Sequence, residues 1–270
     1  MSSTVRLAAF AALLAAVFVL AAVVGNAADL GRTEPVAGAG HGGGHEARVD
    51  PVRGLGVSAD GLTLDVRRTT VAAGAAFQLR FAIRDSRGRV VRDFDFEHTK
   101  RMHVVLARRD LTGFQHLHPT QHADGTWSVP ATLPSAGSYR VFADFSTRDT
   151  PRTLGADLAA PGDTAGRPLP PATPTARAGG FDVALREDGD QLAFEVSRDG
   201  RPVHVQPYLG AQGHLVALRE GDLAYLHVHP DRDRLRFAVD FPSAARYRLF
   251  LQFKVDGRVH TAAFTRDVRP

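Results

Sequence analysis

The sequence predicts an all-β chain: two tandem β-sandwich domains that follow an N-terminal transmembrane or signal helix. Three observations predict it. Short apolar stretches alternate with a period of two and are bounded by Gly, Asp and Pro turns, the pattern of half-buried strands. Residues 181–270 repeat residues 58–160, most clearly where FPSAARYRLFLQF (241–253) echoes LPSAGSYRVFADF (133–145). Neither repeat carries a long stretch with helical periodicity.

In chain order, Leu7–Gly25 is an uncharged run of 19 residues behind Arg6. At about 1.5 Å per residue it nearly crosses a bilayer core. Arg6 orients the short N-terminal side toward the cytoplasm, so everything after the run is expected outside it. Gly25-Asn26-Ala27 is a small-x-small pattern, which leaves cleavage after Ala27 open. Residues 1–27 are thus a signal anchor or signal peptide. The partner they imply is the cytoplasmic membrane, through residues 7–25. Residues 28–57 read as a flexible linker; it holds His41 and His45 on a glycine run.

The first sandwich is expected over 58–160. Leu62–Val66 alternates, and Phe77–Arg84 places Phe77, Leu79, Phe81 and Ile83 on one face. Asp85–Gly88 is a turn. A histidine-bearing hairpin follows, then the strand of Trp127. The Leu133-x-x-x-Gly137-x-Tyr139 step has the pattern of the tyrosine corner of immunoglobulin-like sandwiches, and Thr153–Leu158 supplies a last strand. Residues 161–180, rich in Pro, Gly, Ala and Thr, read as an interdomain linker. In the second sandwich, 181–270, Gln191–Ser197 echoes the FQLRFAI strand. Leu235 takes the place of Trp127, Tyr247 that of Tyr139, and Val259–Thr265 closes the unit.

Composition excludes several chemistries. The 270 residues contain no cysteine, so thiolate metal sites, disulfides and a cysteine nucleophile are out. With only Met1 and Met102, a methionine-rich copper(I) surface is out as well, and any metal must be held by nitrogen and oxygen. Net charge is +4, with arginines dispersed beside Asp and Glu and no basic stripe with interleaved aromatics. Nucleic acid is therefore not an expected partner.

The stretches that carry chemistry are DLTGFQHLHP (110–119) and GDLAYLHVHP (221–230). His103 precedes His116 by 13 residues, and His214 precedes His227 by the same 13. Pairing each hairpin symmetrically about its turn sets His103 opposite His118 and Val105 opposite His116, and likewise His214 opposite His229 and Val216 opposite His227. Alternation then puts His103, His116 and His118 on one face, and separately His214, His227 and His229 on another. Three neutral imidazoles on a sheet suit zinc, copper or nickel; copper or zinc is the cofactor expectation. The histidines can equally be structural, hydrogen-bonded to loop carbonyls where Pro119 and Pro230 end the pairing. His98 is an extra candidate in the first unit. His122 and His204 read as solvated, and His260 has Arg152 at its matching position.

MHVVLARRDLTGFQHLHP together with the later GSYRVFADF resembles the YtkA-like and FixH-like small extracytoplasmic domains, and predicted secreted or membrane-anchored actinobacterial proteins with two such units. The resemblance covers roughly residues 58–270. It implies an immunoglobulin-like fold and heavy-metal, copper above all, handling at the cell envelope. Three readings stay open. One is a membrane-anchored or secreted metal-binding module without enzymatic activity. Another is a non-metal module with structural histidines that docks an envelope protein. The third is a cupin-like metalloenzyme, suggested by Gly221-x5-His227-x-His229 but lacking the glutamate that should follow.

Overall fold

A computed structural model describes residues 53–269 except Asp190 and His227, and only the backbone of His229. Leu7–Gly25, the Ala27 cleavage point, His41 and His45 lie outside the described residues. Among the described residues no helix is long and apolar enough to cross a membrane.

The first unit contains strands β1 (Ser58–Ala59), β2 (Leu62–Val66), β3 (Ala76–Arg84), β4 (His103–Arg108), β5 (Gln115–Leu117), β6 (Thr120–Gln121), β7 (Trp127–Thr132), β8 (Gly137–Thr147) and β9 (Thr150–Ala160). They form one sheet in the order β1-β2-β3-β7-β6 and a facing sheet β5-β4-β8-β9. The second unit contains β10 (Thr175–Ala178), β11 (Phe181–Asp188), β12 (Gln191–Arg198), β13 (Arg201–Pro202), β14 (His214–Arg219), β15 (Tyr225–Leu226), β16 (Val228–Pro230), β17 (Arg236–Val239), β18 (Ala245–Val255) and β19 (Arg258–Val268). Its sheets, β10-β11-β12-β17-β16 and β15-β14-β18-β19, repeat the first plan, and β13 adds a short pairing to β12. The chain is thus two immunoglobulin-like sandwiches. Each has its own core, built on Phe81, Trp127, Val104 and Phe145 in the first, and on Phe181, Phe237, Leu249 and Phe253 in the second.

The internal equivalences hold in the registers. Trp127 lies opposite Phe81, and the amide of Phe194 donates to the carbonyl of Leu235 at 2.9 Å in the corresponding place. The two long hairpins pair Phe145 with Arg152 and Phe253 with His260. Both tyrosine corners are made: Tyr139 Oη donates to Ser135 O at 2.8 Å, and Tyr247 Oη to Ser243 O at 3.0 Å. Both phenols are buried within the first and second cores. Replacing Tyr139 or Tyr247 by Phe is expected to cost about 1 kcal/mol each, since the phenol's hydrogen bond to the turn carbonyl is lost. Urea denaturation measures the loss, and metal binding should not change with it.

Two stretches expected to be spacers are structured. Gly54 to Gly56 lie along β9, with the Gly54 amide donating to Thr153 O at 3.0 Å. Within 161–180, Thr175–Ala178 is strand β10 of the second unit. Leu169 from the same stretch is buried in a third apolar cluster.

That cluster joins the two sandwiches. Along β4, Val104 and Leu106 enter the first core, while Val105 and Ala107 turn the other way and meet Val216, Leu218 and Phe250 of the second unit. Every residue of β4 is therefore buried. Phe114 stacks on Phe250 with ring centroids 3.9 Å apart, and Phe142 lies 5.5 Å from Tyr225. Phe114 corresponds to Tyr225 and Phe142 to Phe250 in the repeat, so each unit gives the other the same pair of positions. The two equivalent sheets face each other.

The turn between β4 and β5 is shaped to serve this contact. Leu111 and Leu223 adopt φ of 62° and 63°, a left-handed conformation costing about 1 kcal/mol for a residue with a Cβ. Burying each leucine in the shared cluster gains about 2 kcal/mol. The aspartate before each leucine holds the turn: Thr112 N donates to Asp110 Oδ1 at 3.2 Å and Ala224 N to Asp222 Oδ1 at 3.0 Å. Arg108 pairs with Asp110, and Arg219 with Asp222.

Candidate metal centre

The hairpin register is the one the histidine spacing requires. In the first unit Val104 pairs with Leu117 and Val105 with His116; in the second Ala217 pairs with Leu226 and Leu218 with Tyr225. Beyond these pairs the strands change sheets. Thr120 pairs with Ser128 of the opposite sheet, and Val228 and His229 already pair with Val239 and Ala238. The switch comes earlier in the second unit, where His229 is backbone-paired away from His214.

His103, His116 and His118 share one face, each offering a ring nitrogen within 4.8 Å of the others. His103 is 3% exposed; His116 and His118 are half-buried. The group lies at the seam between the sandwiches, and the second unit completes its surroundings. His214, expected in a separate set with His227 and His229, instead places its ring 4.5 Å from His116 and 5.7 Å from His103, nearly parallel to the latter at 5°. The side chains of His227 and His229 are not among those described. His98 occupies a left-handed turn, φ 47°, with its ring 6.2 Å from His103 and 5.8 Å from His214. It borders a cleft of about 440 Å³ together with Thr99 and, from the second unit, Leu209, Gly210 and Arg232. His122 and His204 are exposed, and His260 packs 5.0 Å from Phe181.

A chain of three contacts runs through the pair His103 and His116. His103 Nε2 meets Glu97 O at 3.2 Å, His103 Nδ1 meets His116 Nε2 at 3.0 Å, and His116 Nδ1 meets Gln252 Oε1 at 2.6 Å. The two end groups are oxygens that only accept. Two neutral imidazoles carry two N–H protons, whereas three hydrogen bonds need three. With the Gln252 carboxamide turned this way, one contact sets two lone pairs against each other in every choice of tautomers; turned over, its Nε2–H supplies the third proton to His116 Nδ1. With the protons turned outward to Glu97 and Gln252, the bare nitrogens are those that face each other. Two further ring nitrogens, His118 Nε2 and His214 Nε2, are buried with no hydrogen-bond partner.

A third proton would relieve the conflict, but the surroundings oppose it. Burial holds His103 down at about 4. Burial, with neighbouring His103, takes His116 to about 3, and the same two causes take His118 to about 4. His214 is pushed well below the ordinary range, by burial first. All four rings are neutral near pH 7. A cation relieves the conflict without that penalty. Two nitrogens bound tetrahedrally to zinc at ~2.0–2.1 Å are about 3.3 Å apart, close to the spacing of the facing pair. Outward N–H groups donated to a carbonyl and a carboxamide are the support that metal-bound imidazoles usually have. The donor set is nitrogen only. Met102 lies in the first core on the opposite side of the strand. Asp144, backbone-paired to His103, is half-buried and accepts from Thr153 Oγ1 at 2.7 Å. Burial raises its pKa, as it does that of Glu97. The residues present fit zinc, copper or nickel.

Both units match one family model, described as a domain of unknown function, DUF8832, over residues 57–162 and 179–270. The chain belongs to the DUF8832 family. Its two DUF8832 units are the two sandwiches described above. No curated protein is found to match the chain. Among solved structures, FdeC, an Escherichia coli adhesin, aligns over 79% of this chain and 65% of its own, at 14% identity and a TM-score of 0.29. A mutant Salmonella alpha-2-macroglobulin aligns over 80% of this chain and 15% of its own, at 15% identity and a TM-score of 0.29. Titin domains Z1Z2 in complex with telethonin align over 78% and 98%, at 11% identity and a TM-score of 0.22. Likenesses this low carry no argument about function.

Sequence reasoning missed Gln252, Asp144 and the carbonyl of Glu97. The first two left a trace: each is a single polar residue inside an apolar strand, RVFADF or RLFLQF, at matching positions. A polar group there needs a buried partner.

Proposed function

We propose that this DUF8832 protein binds one late first-row transition ion, zinc or copper, through His103, His116 and His118. The observation that carries the reading is the convergence of His103, His116 and His118, whose ring nitrogens lie within 4.8 Å of one another at the seam. Placement outside the cytoplasm, as an anchored or released protein, is part of the same proposal and is supported by Leu7–Gly25 and Ala27. Likeness to YtkA-like and FixH-like domains supports metal handling there. The protein acts on this reading as a binder rather than a catalyst.

The test is uptake of copper, zinc and nickel by the purified protein after chelator treatment, followed by equilibrium dialysis and thermal melting. About one equivalent of metal is expected, and an ion at 100 times its Kd should add about 2.7 kcal/mol of stability. The His116→Ala, His118→Ala double variant should lose both effects. No uptake, and no change in melting by any of the three ions, would leave the histidines structural. Changing His227 and His229 to Ala separately shows whether the second HVHP contributes.

A further inference from the structure

We infer that the centre is shared between the two sandwiches: His214 of the second unit supplies a fourth nitrogen to the ion held by His103, His116 and His118, and Gln252 of the same unit fixes the orientation of His116. This rests on the metal-binding reading above and gives it a consequence, because occupancy then fastens one sandwich to the other.

Three observations carry it. The ring of His214 is 4.5 Å from that of His116 and 5.7 Å from that of His103, closer to His116 than His118 is at 4.8 Å. Its Nε2 is buried and has no hydrogen-bond partner among the described residues. The Nδ1 of His116 is met from the other unit, by Gln252 Oε1 at 2.6 Å, whose own Nε2 is directed to Thr261 Oγ1 at 3.5 Å. His214 stacks on His116 instead of pointing with it, so its side chain turns about its own torsions to bring Nε2 onto the ion. Zinc prefers four ligands in a closed site, and the first unit alone offers three. Val105, Ala107, Val216 and Phe250 form an apolar part of the seam beside the histidines.

The experiment uses the full chain with zinc and cobalt(II) as probes. Zinc affinity is read by competition with a chromophoric chelator, cobalt coordination by visible absorption, and coupling of the units by hydrogen exchange at 215–218 and 250–252. His214→Phe keeps an aromatic ring in the stack, and His214→Ala removes it. Both should lower zinc affinity by about 10–100-fold, alter the cobalt spectrum as water replaces a nitrogen, and abolish the zinc-dependent slowing of exchange across the seam. Gln252→Leu should weaken zinc binding while leaving the cobalt spectrum four-coordinate. Wild-type affinity and an unchanged cobalt spectrum in His214→Phe would overturn the shared centre yet leave the triad as a site. Two zinc ions per chain would also overturn it, because His214 would then serve a separate ion. Absence of any zinc or cobalt uptake by the wild type would instead remove the parent reading.

Discussion

A double-mutant cycle between His103 and His116 should change sign with metal. The cycle uses His103→Leu, His116→Leu and the pair, each measured by urea denaturation. In chelator, with Gln252 Oε1 toward His116, the two rings are expected to oppose each other by about 1 kcal/mol, because one of their three contacts then lacks a proton. Losses to Glu97 and Gln252 occur in both the single and the double variants and cancel in the cycle. With zinc at 1,000 times its Kd, the same pair should become favourable by about 3 kcal/mol: the ion adds about 4 kcal/mol to the wild type alone, since either substitution removes the site. A structural histidine pair gives the opposite picture: a favourable coupling near 1 kcal/mol that metal does not alter. Sign reversal is therefore the discriminating result, and equal favourable coupling in both conditions would sink the metal reading.

Acid should destabilise the metal-free protein well above the pH at which its folded histidine rings take up protons. In the unfolded chain histidine protonates near 6.5. In the fold His103 and His118 stay neutral to about 4 and His116 to about 3, and His214 lies well below its ordinary value. Between about pH 6.5 and 4 the unfolded chain thus binds more protons, so stability falls as pH falls. Each histidine contributes a slope of ~1.4 kcal/mol per pH unit once its unfolded form is fully protonated. Asp144 and Glu97, raised by burial, act in the opposite sense, because the fold takes up their protons first. They are two groups against four, so the histidines set the sign. Urea midpoints in chelator should therefore drop steeply from pH 6.5 to 5. For as long as the metal-free chain stays folded, metal affinity should not weaken through 6.5, as free imidazoles would require, because the folded rings are already deprotonated down to about 4. A flat chelator-treated stability profile over that window would contradict burial of the cluster. A metal-release midpoint near 6.5 would mean the ligands are exposed histidines outside it.

Much of this was legible in the sequence because it is local. Period-two alternation identified the strands, and the duplicated Leu/Phe-Pro-Ser-Ala turn located both tyrosine corners. The 13-residue spacing fixed the hairpin register, and with it the common face of His103, His116 and His118. All of these depend on residues within one hairpin or one turn, where chain geometry leaves few options. The continuous runs HVVLA and HLVAL also carried a message that alternation hid: strands apolar on both faces are covered on both faces. The chain itself shows that β4 needs a second cover, but not which surface provides it.

Packing between the units supplied that answer. Face-to-face docking of the two equivalent sheets brings His214 and Gln252, more than 95 positions away from His116 in the chain, into contact with it. It also splits two repeats that read alike. His103, His116 and His118 converge, whereas His229 is drawn by its backbone to the opposite sheet. Periodicity determines which way a side chain points from its own strand; only the burial of apolar surface between distant strands determines what it meets there. The strands, the repeat and the first triad belong to the sequence alone, and the shared seam with its converging histidines belongs to the tertiary structure.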